Sequence, residues 1–599
     1  MLPATIPAVC LLLLAAATPW KEIDYGPKKI LADPRCSRLP TDLMGPFIKR
    51  GDGAILAAGP RQASISRDDG HTWETRELFR EPDKFESRGE GALFRTRDGT
   101  VLFAFLNKKE QRIHWDQKNG GPQPDCQLPV YVIRSLDDGE TWEEPRRLQT
   151  GWSGAIRQMI QLRSGKIVLI SQQAVRDPGR HVSFAYVSPD DGRTWQKGDI
   201  IDLGEYGGYG DHGGGIEGTV AELRDGRLWL LLRTYRGMFT EAFSKDDGLS
   251  WFDIRPSKIQ ASGSPGLLCR VHGGRLVLLW NRYIDPVKKT GRREQLSMAY
   301  SEDDGTTWGD PIVLAYDPMT PGDKEPQHRL SYPYLYEHEP GLFWITTMQG
   351  PLRIALRERD FIPPKLSDQT YEARPASGMP IEIDGRADET AWAAAKPLSS
   401  FSLPWNPEPP PKTEFRALHD ASFLYFTFDM DDADIVSVDN FSDEADAVLE
   451  DRAELYFAAD DQMARYVCIE VDSRGRVFDY AASYYRKFDP SWKLDGLATA
   501  ASPRSDGYVV EGRIPLKTLA RLGFPIFRPG ARIRCGIFRA EFSHDRNAKA
   551  SPAKPSIHNL GRPTHGPPPI ERWMTWIDPK TTEPDFHVPT SLGWLKFVE

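Results

Sequence analysis

Residues that could do chemistry gather around one glycine-rich stretch. The segment GEYGGYGDHGGGIEG, residues 204–218, contains Asp211, His212 and Glu217, and Arg233 ends the apolar run that follows. Glycine lacks a side chain, so this segment allows the backbone to approach a ligand closely. A guanidinium fork such as that of Arg233 fits a carboxylate through two parallel hydrogen bonds. We take His212 as a candidate substrate-binding residue; no second histidine lies at metal-ligand spacing, so we expect no metal. A flexible connecting loop is the alternative.

A short sequence motif occurs five times along the chain and marks the repeated structural unit that must position these residues. Each copy obeys S-x-D-D-G-x-[ST]-W, and the copies are Ser66–Trp73, Ser135–Trp142, Ser188–Trp195, Ser244–Trp251 and Ser301–Trp308. Their starts lie 69, 53, 56 and 57 residues apart, which suits a four-stranded unit with its loops. Asp-Asp-Gly favours a tight turn, since Asp bonds nearby amides and Gly accepts positive φ. The Trp is then expected to wedge between neighbouring units.

Pairs of apolar runs between the copies are joined by two-residue turns. Examples are ALFRTRDGTVLFAF, IQLRSGKIVLISQ and AELRDGRLWLLLR. Asp-Gly and Ser-Gly between apolar runs predict tight hairpins. Residues 361–380 are polar and carry prolines, which is typical of a linker, and the repeated motif does not recur after them. We therefore predict an all-β protein with domains at 19–360 and 381–599.

Composition narrows the classes of function. A net charge of −9, with basic residues scattered, argues against a nucleic-acid partner. Residues 1–18 form an apolar run that ends in small residues, as in a cleaved signal peptide, so we expect a secreted or periplasmic protein. No other run approaches the length of a transmembrane segment. The remaining cysteines lack CxxC spacing, so buried thiols are predicted, Cys468 and Cys535 among them.

The five repeats resemble the Asp boxes of the sialidase superfamily, and this resemblance covers about residues 45–360. It implies a six-bladed β-propeller and, by association, a glycosidase that hydrolyses O-glycosyl bonds. Sialidases act on a sugar whose anomeric carbon carries a carboxylate, so a tyrosine replaces the usual carboxylate nucleophile. In that family a glutamate activates the tyrosine, three arginines hold the substrate carboxylate and an aspartate is the acid and base.

Two stretches extend the resemblance to the site. GGGIEGTVAELRDGRLWLLLRT is similar to the sialidase segment with the activating glutamate and second arginine, which implies these roles for Glu217 and Arg233. Arg293 precedes the strand that enters the fifth Asp box, as the third arginine does. HRLSYPYLYEHEPGLFWITTM resembles the nucleophile strand, with Tyr332 as the aligned tyrosine. Two alternatives share its strand face by the period of two: Tyr334 and Tyr336.

Two elements depart from the sialidase pattern. Where sialidases have the strand with the first arginine, this chain has Arg88-Gly89-Glu90-Gly91. Arg88 is the candidate first arginine, and Glu90 brings a negative charge near the expected carboxylate position, which favours a substrate other than sialic acid. The acid/base residue is expected before the second Asp box. Both Asp116, which follows Trp115, and Asp125 are candidates there.

The second region resembles the family 9 carbohydrate-binding modules. The resemblance rests on Ile381–Trp392, Leu424–Ile435, Glu450–Asp461 and Phe586–Phe597. It implies a β-sandwich with aromatic rings available to stack on sugars. Trp405, Trp492 and Trp573 are the candidates for stacking, with packing in the core as the alternative for each.

These features predict an exported, exo-acting glycoside hydrolase for terminal sialic acid or a related sugar. Its partner would be a glycan or polysaccharide bound through the second domain, and it would need no cofactor. The alternatives are a non-catalytic, lectin-like propeller and a glycosidase for a non-sialic sugar.

Overall fold

The computed structural model describes residues 20–25, 29–116, 121–282, 293–317, 329–437, 444–521, 523–524, 528–543 and 570–599. They form two compact units, one within residues 20–360 and one from Phe361 to Glu599. The short segments 271–274 and 339–341 belong to the second unit. The predicted signal peptide, residues 1–18, lies outside the described residues and stays a prediction.

The first unit is a six-bladed β-propeller of antiparallel four-stranded blades, so the predicted fold is confirmed. A strand from the start of the chain, Ser37–Arg38, closes blade 6. Blade 5 is extended by the hairpin of Lys21–Asp24 and Lys29–Ala32. The strands of the blades, in order, are Phe47–Lys49, Ile55–Ala58, Gln62–Ser66 and Glu74–Glu77 (blade 1); Ser87–Arg95, Val101–Asn107, Val130–Ser135 and Arg146–Gln149 (blade 2); Met159–Gln161, Ile167–Val175, Arg180–Ser188 and Gln196–Lys197 (blade 3); Ile216–Glu222, Leu228–Arg233, Met238–Ser244 and Phe252–Gln260 (blade 4); Leu267–Arg270, Leu276–Trp280, Gln295–Ser301 and Ile312–Tyr316 (blade 5); Ser331–Glu339, Leu342–Gln349 and Arg353–Arg357 (blade 6).

Apolar clusters between neighbouring blades hold the propeller together. The first strands of neighbouring blades also contact one another, so they line the central axis. The tryptophan of every Asp box packs in or against one of these clusters, as predicted: Trp73, Trp142, Trp195, Trp251 and Trp308. Each is a large apolar surface that stabilises the contact between blades when it is removed from water.

The Asp boxes are local hydrogen-bonded turns. Asp137 of the second box accepts the backbone N–H of Thr141 at 2.8 Å and its hydroxyl at 2.5 Å. The same pair of bonds recurs in the other four boxes. The second Asp of every box has a positive φ, between 52° and 62°. Asp tolerates this left-handed conformation better than most residues, which explains the two successive aspartates.

The second unit is a β-sandwich. One sheet runs Lys487–Asp489, Val477–Ser483, Tyr466–Asp472, Arg452–Ala458, Arg532–Ser543, Gly593–Phe597 and Thr370–Pro375, with Ile570–Thr575 also paired to Arg532–Ser543. The other runs Thr370–Pro375, Thr413–His419, Phe423–Asp431, Gly507–Pro515 and Ala498–Arg504. Both sheets bury side chains in one core, which includes Phe415, Phe428, Leu455 and Ile537.

The segment predicted to be a linker, residues 361–380, differs from that expectation. Thr370–Pro375 pairs in parallel with both Thr413–His419 and Gly593–Phe597, and so joins the two sheets. Its polar residues are exposed, whereas Tyr371 and Ala373 point into the core. The alternation of buried and exposed side chains that is typical of a strand was therefore present in a stretch whose composition is typical of a linker.

Helical elements are short throughout the described residues. They are the α-helices Gly204–Gly207, Glu358–Phe361 and Leu516–Arg521 and the 3₁₀ turns Lys108–Glu110, Thr390–Ala394, Glu444–Leu449 and Pro589–Ser591. None of the described helices has the length and hydropathy needed to cross a membrane. Cys468 and Cys535 are fully buried and belong to no disulfide, as the sequence predicted.

Candidate active site

The candidate site centres on a hydrogen bond between Tyr332 and Glu217. The Tyr332 hydroxyl donates to Oε1 of Glu217 at 2.7 Å. Tyr332 lies at the start of the innermost strand of blade 6, and Glu217 at the start of the innermost strand of blade 4. Tyr332 is 7% exposed. A nucleophile and its base must lie within about 2.6–3.2 Å of each other, and this pair satisfies that requirement.

The two alternative tyrosines of the same strand have other surroundings. The Tyr334 hydroxyl donates to the carbonyl of Gly91 at 3.2 Å. Tyr336 packs in the apolar cluster between blades 6 and 1, where its ring lies edge-on to Trp344. Tyr332 is therefore the tyrosine that the geometry brings to Glu217.

Both members of the pair have left-handed backbones. The φ angle is 60° at Tyr332 and 52° at Glu217. Glu217 lies in a bulge between Ile216 and Thr219, and its backbone N–H donates to the Gln172 side chain at 2.6 Å. Such a conformation costs about 1–3 kcal/mol and persists only where the surroundings fix it. Because strained residues cluster at functional sites, the strain at both members of one hydrogen bond supports a functional pair.

Arg233 links the pair electrostatically. It ends the second strand of blade 4, and its Nη1 lies 2.5 Å from Glu217 Oε2 and 3.2 Å from the Tyr332 hydroxyl. Burial would raise the pKa of Glu217, but Arg233 and the Tyr332 hydroxyl outweigh it, so the pKa lies below its ordinary value. Burial, together with the charge of Glu217, raises the pKa of Tyr332. At neutral pH the pair is thus a protonated phenol beside an ionised carboxylate.

Two further arginines lie against the ring of Tyr332. The Arg157 guanidinium is 5.1 Å from the Tyr332 ring centre and 5.0 Å from that of Tyr334. Arg293 is 5.5 Å from the Tyr332 ring centre and donates to Gln349 at 2.7 Å. Sequence reasoning predicted Arg293 for the site and missed Arg157. The available signal was a charged residue inside the apolar run GAIRQMI, at a position that is 4% exposed.

The expected role of Arg88 as the first arginine of the set stays a prediction; its charge opposes the rise in the pKa of Glu90. Its side chain is exposed, 5.9 Å from the ring centre of Trp152, and donates to the Gly154 carbonyl at 3.4 Å. In the strand from Ser87 to Arg95, Arg88 is exposed and Glu90 is buried. Residues two apart on a regular strand share a face, but the pairing of this strand is irregular between Ser87 and Gly91, and Gly89 has a φ of 95°, so the two side chains differ in environment here.

Glu90 is buried beside Arg157. Its Oε1 lies 3.4 Å from Nη1 of Arg157. Burial raises the pKa of Glu90 to about 7, and the attraction of Arg157 only partly opposes this. The negative charge of Glu217 raises it further. The candidate site therefore holds two carboxyl groups of different character, one ionised and one that titrates near neutral pH.

Exposed groups of the glycine-rich segment flank the buried pair. Arg233 donates to the hydroxyl of Tyr235, whose ring is 41% exposed. The imidazole of His212 stands edge-on to that ring at 6.1 Å, and its Nδ1 lies 2.9 Å from Oδ1 of Asp211. Tyr235, His212 and Asp211 thus form the solvent-facing side, where a ligand would first make contact.

Of the two candidate acid residues, Asp125 is exposed and Asp116 is half-buried. Asp125 pairs with His114 at 2.9 Å. Asp116 lies in the short strand Trp115–Asp116, which pairs with Gly121–Pro122. Trp115 stacks on His181 at 6.3 Å, and burial lowers the pKa of His181 to about 4, so its imidazole is neutral. The role of acid stays a prediction for both Asp116 and Asp125.

Among the described residues, one group of carboxylates has the spacing to hold a metal ion: Asp432, Asp451 and Glu541 of the second unit. Arg539 already donates to Asp432 at 3.3 Å and to Glu541. Asp451 accepts the backbone N–H of Phe542 at 2.6 Å. These protein donors occupy the carboxylates, so the group is better explained as a buried ion pair network than as a metal centre.

The tryptophans of the second unit correct the expectation of a sugar platform. Trp573 is 4% exposed and lies in the strand Ile570–Thr575, so its faces are covered by the core. Trp405 is half-buried and donates to the Thr581 carbonyl at 3.0 Å. Trp492 is half-buried and packs against the main core. Burial in the core explains Trp573, and stacking on a sugar stays a prediction for Trp405 and Trp492.

Family models match both units. Residues 62–345 match the BNR repeat-like domain, and residues 383–549 match the carbohydrate family 9 binding domain-like model. The chain is thus similar to a BNR repeat-like domain in its first unit and to a family 9 carbohydrate-binding domain in its second, and these similarities support a carbohydrate-active protein. No curated protein matches the chain in sequence.

Solved structures resemble each unit at low identity. A protein of unknown function from Dyadobacter fermentans DSM 18053 is 18% identical, with 54% of this chain and 98% of that chain covered and a TM-score of 0.39. The NanB sialidase from Streptococcus pneumoniae is 13% identical, with 55% and 70% covered and a TM-score of 0.38. A family 9 carbohydrate-binding module from Caldicellulosiruptor kristjanssonii, in complex with glucose, is 14% identical, with 38% and 95% covered and a TM-score of 0.26.

Proposed function

We propose that the propeller is an exo-acting glycosidase that removes terminal sialic acid or a related sugar from a glycan, with Tyr332 as the nucleophile and Glu217 as its base. The observation that supports this most directly is the 2.7 Å hydrogen bond from the Tyr332 hydroxyl to Glu217, with both residues held in strained backbones. A phenol that keeps its proton until attack needs a base within hydrogen-bond reach, and Glu217 is that base.

The chemistry proceeds in two steps. In the first, the Tyr332 oxygen forms a bond to the anomeric carbon while the bond to the leaving oxygen breaks. The phenol proton passes to Glu217, and the leaving oxygen takes a proton from a carboxylic acid, for which Asp116 and Asp125 are the candidates. In the second, water attacks the anomeric carbon, gives a proton to that carboxylate and releases Tyr332, which recovers its own proton from Glu217. Arg233 stabilises the charge on the phenol oxygen during both steps.

The second domain would hold the enzyme on glycan, which raises the local concentration of substrate ends. This role is supported by the match to the family 9-like binding domain. Trp573 is buried, so it is not a sugar-binding candidate of that domain, and Trp405 and Trp492 remain the candidates.

Turnover of a panel of aryl glycosides, carboxylated and neutral, tests the proposal. Tyr332→Phe removes only the hydroxyl and is expected to lower kcat by at least about 100-fold. Tyr336→Phe, on the same strand, is the matched control and should retain activity. A fluorinated glycoside should leave a covalent sugar on the peptide that contains Tyr332. Wild-type protein that binds glycans but turns over no glycoside would replace this proposal with a lectin-like function.

A further inference from the structure

The arginines around Tyr332 already donate hydrogen bonds to protein acceptors. Arg157 donates through Nη2 to the Pro333 carbonyl at 2.9 Å and through Nη1 to Glu90 at 3.4 Å. Arg233 donates through Nη1 to Glu217 and through Nη2 to Tyr235. A substrate carboxylate held by a guanidinium needs two parallel hydrogen bonds from one fork. The existing bonds occupy the two guanidinium groups only in part, because each terminal nitrogen carries a second N–H and the Nε atoms of Arg157 and Arg233 have no hydrogen-bond partner among the described residues.

Arg293 also donates hydrogen bonds to protein acceptors through both terminal nitrogens. Its Nη1 donates to Gln349 at 2.7 Å, and its Nη2 donates to the Gly263 carbonyl at 2.8 Å. Burial, together with the charge of Arg233, lowers the pKa of Arg293. Every arginine that touches the Tyr332 ring thus has an acceptor on both terminal nitrogens.

Glu90 differs from the carbonyl and amide acceptors of these arginines because it is a carboxyl group. Carbonyl and amide groups stabilise a guanidinium without a net charge, whereas Glu90 brings a carboxyl group into contact with Arg157 inside the site. Arg157 and Glu90 are 2% and 8% exposed at their side chains, so water cannot screen the charges. A second carboxylate placed next to Glu90 and Glu217 would be repelled by whichever of them is ionised.

We infer that Glu90 determines substrate specificity: it holds Arg157 in place of a substrate carboxylate, so the site accepts a neutral sugar without a carboxylate on its anomeric carbon. This inference rests on the proposed function for the position of the sugar, and it narrows that proposal to the non-sialic alternative. At neutral pH part of the Glu90 population is protonated and can also donate a hydrogen bond to a sugar hydroxyl, because its pKa is raised to about 7.

Calorimetric titration with a carboxylated sugar tests the inference without requiring turnover. The probe is the 2,3-didehydro-2-deoxy derivative of sialic acid, with its methyl ester as the uncharged comparison, and the proteins are full-length. Wild type is expected not to bind the acid. Glu90→Ala, which frees Arg157, is expected to bind the acid at least about tenfold more tightly than wild type, or by about 1.4 kcal/mol, and to leave the ester unaffected.

Two further variants keep the test decisive. Glu90→Gln retains the volume and should fold even where the alanine variant does not; it removes the charge, so it should also gain binding of the acid, more weakly. Glu241→Gln is the matched control, because Glu241 is a buried propeller carboxylate that accepts from Trp229 and Arg255. It should gain nothing. Melting curves verify that each variant is folded.

The inference is overturned where wild type already binds the acid in preference to the ester, or where neither Glu90 variant gains binding. The test of this inference and the test of the glycosidase proposal can have different outcomes. If Glu90→Ala gains binding of the acid while wild type turns over no glycoside, the specificity role is supported and the proposed catalysis is contradicted. If wild type hydrolyses neutral glycosides while the Glu90 variants gain no binding of the acid, the proposed catalysis is supported and the specificity role of Glu90 is contradicted.

Discussion

Tyr332 and Glu217 lie 115 residues apart in sequence, yet the tyrosine hydroxyl donates to the carboxylate at 2.7 Å. Each begins the innermost strand of its blade, and each has a positive φ. The strain directs both side chains out of the ordinary alternation of a strand. The pair is thus a product of two independent backbone distortions that meet at one point of the propeller.

Glu217→Gln is expected to abolish the base without breaking the fold. The amide oxygen can accept from only one of Tyr332 and Arg233, which donate to different oxygens of Glu217, and the amide cannot take the phenol proton. We expect kcat to fall by about 10²- to 10⁴-fold with little change in melting temperature. Steady-state kinetics on an aryl glycoside measure this. Glu222→Gln, at the other end of the same strand and bonded to Arg163, is the control. A Glu217→Gln enzyme within a few-fold of wild type would contradict the base role.

Arg233→Lys should impair turnover although the charge is kept. One ammonium group cannot contact Glu217, Tyr332 and Tyr235 at once, as the guanidinium does. A lost charge-assisted hydrogen bond costs about 1.5–3 kcal/mol, so kcat/KM should fall about ten- to hundredfold. Arg163→Lys, an exposed ion-pair residue of the same propeller, should leave kcat/KM unchanged. Equal loss in both variants would mean that the effect is general rather than local to the site.

Glu90 should make stability fall with rising pH. Its pKa is raised to about 7 from 4.5. Between these values the folded state binds more protons than the unfolded state, so the free energy of unfolding falls as pH rises through the window and levels off above pH 7. The groups that act on Glu90 are Arg157 and Arg88, which favour its charge, and Glu217, which opposes it.

The size of this effect follows from the shift. At about 1.4 kcal/mol per pKa unit, wild type should lose up to about 3 kcal/mol relative to Glu90→Gln between pH 4.5 and pH 7. Chemical unfolding of both proteins across that range measures the difference. A difference that is constant with pH would show that Glu90 titrates at its ordinary pKa in the folded protein.

Trp573→Ala should destabilise the second domain rather than weaken its binding of sugar. Deletion of a buried tryptophan costs about 3–5 kcal/mol through lost burial and the cavity left behind. Thermal unfolding of a protein of residues 361–599 measures the loss, and binding to soluble oligosaccharide below the melting temperature should stay unchanged. A folded Trp573→Ala domain with lost sugar affinity would restore Trp573 as a binding residue.

Removal of residues 361–599 should separate the two activities. We expect the remaining propeller to turn over small soluble glycosides nearly as wild type does, because the residues of the candidate site all lie in the first unit. Action on insoluble polysaccharide should fall, since the local concentration of substrate is lost. The two rates, measured side by side on a folded truncated protein, decide this. Loss of small-substrate turnover would mean that the second domain contributes to the active site.

The Asp boxes and hairpins could be predicted because their causes are local. Ser135, Asp137, Gly139 and Thr141 bond to one another within a few residues, so the motif by itself specifies the turn. The apolar runs on either side specify strands by the same local logic. The repeat then determines a six-bladed propeller, because each unit can bury its apolar faces only against the next.

The tertiary structure decided which charged residues meet. Arg157 reaches Pro333 across 176 positions and Glu90 across 67, and no local pattern encodes either contact. Strand alternation would place Arg88 and Glu90, two residues apart, on one face, whereas the irregular strand pairing between Ser87 and Gly91 leaves Arg88 exposed and Glu90 buried. Trp573 became a core residue and Thr370–Pro375 a strand for the same reason, since burial depends on what the rest of the chain places opposite a residue.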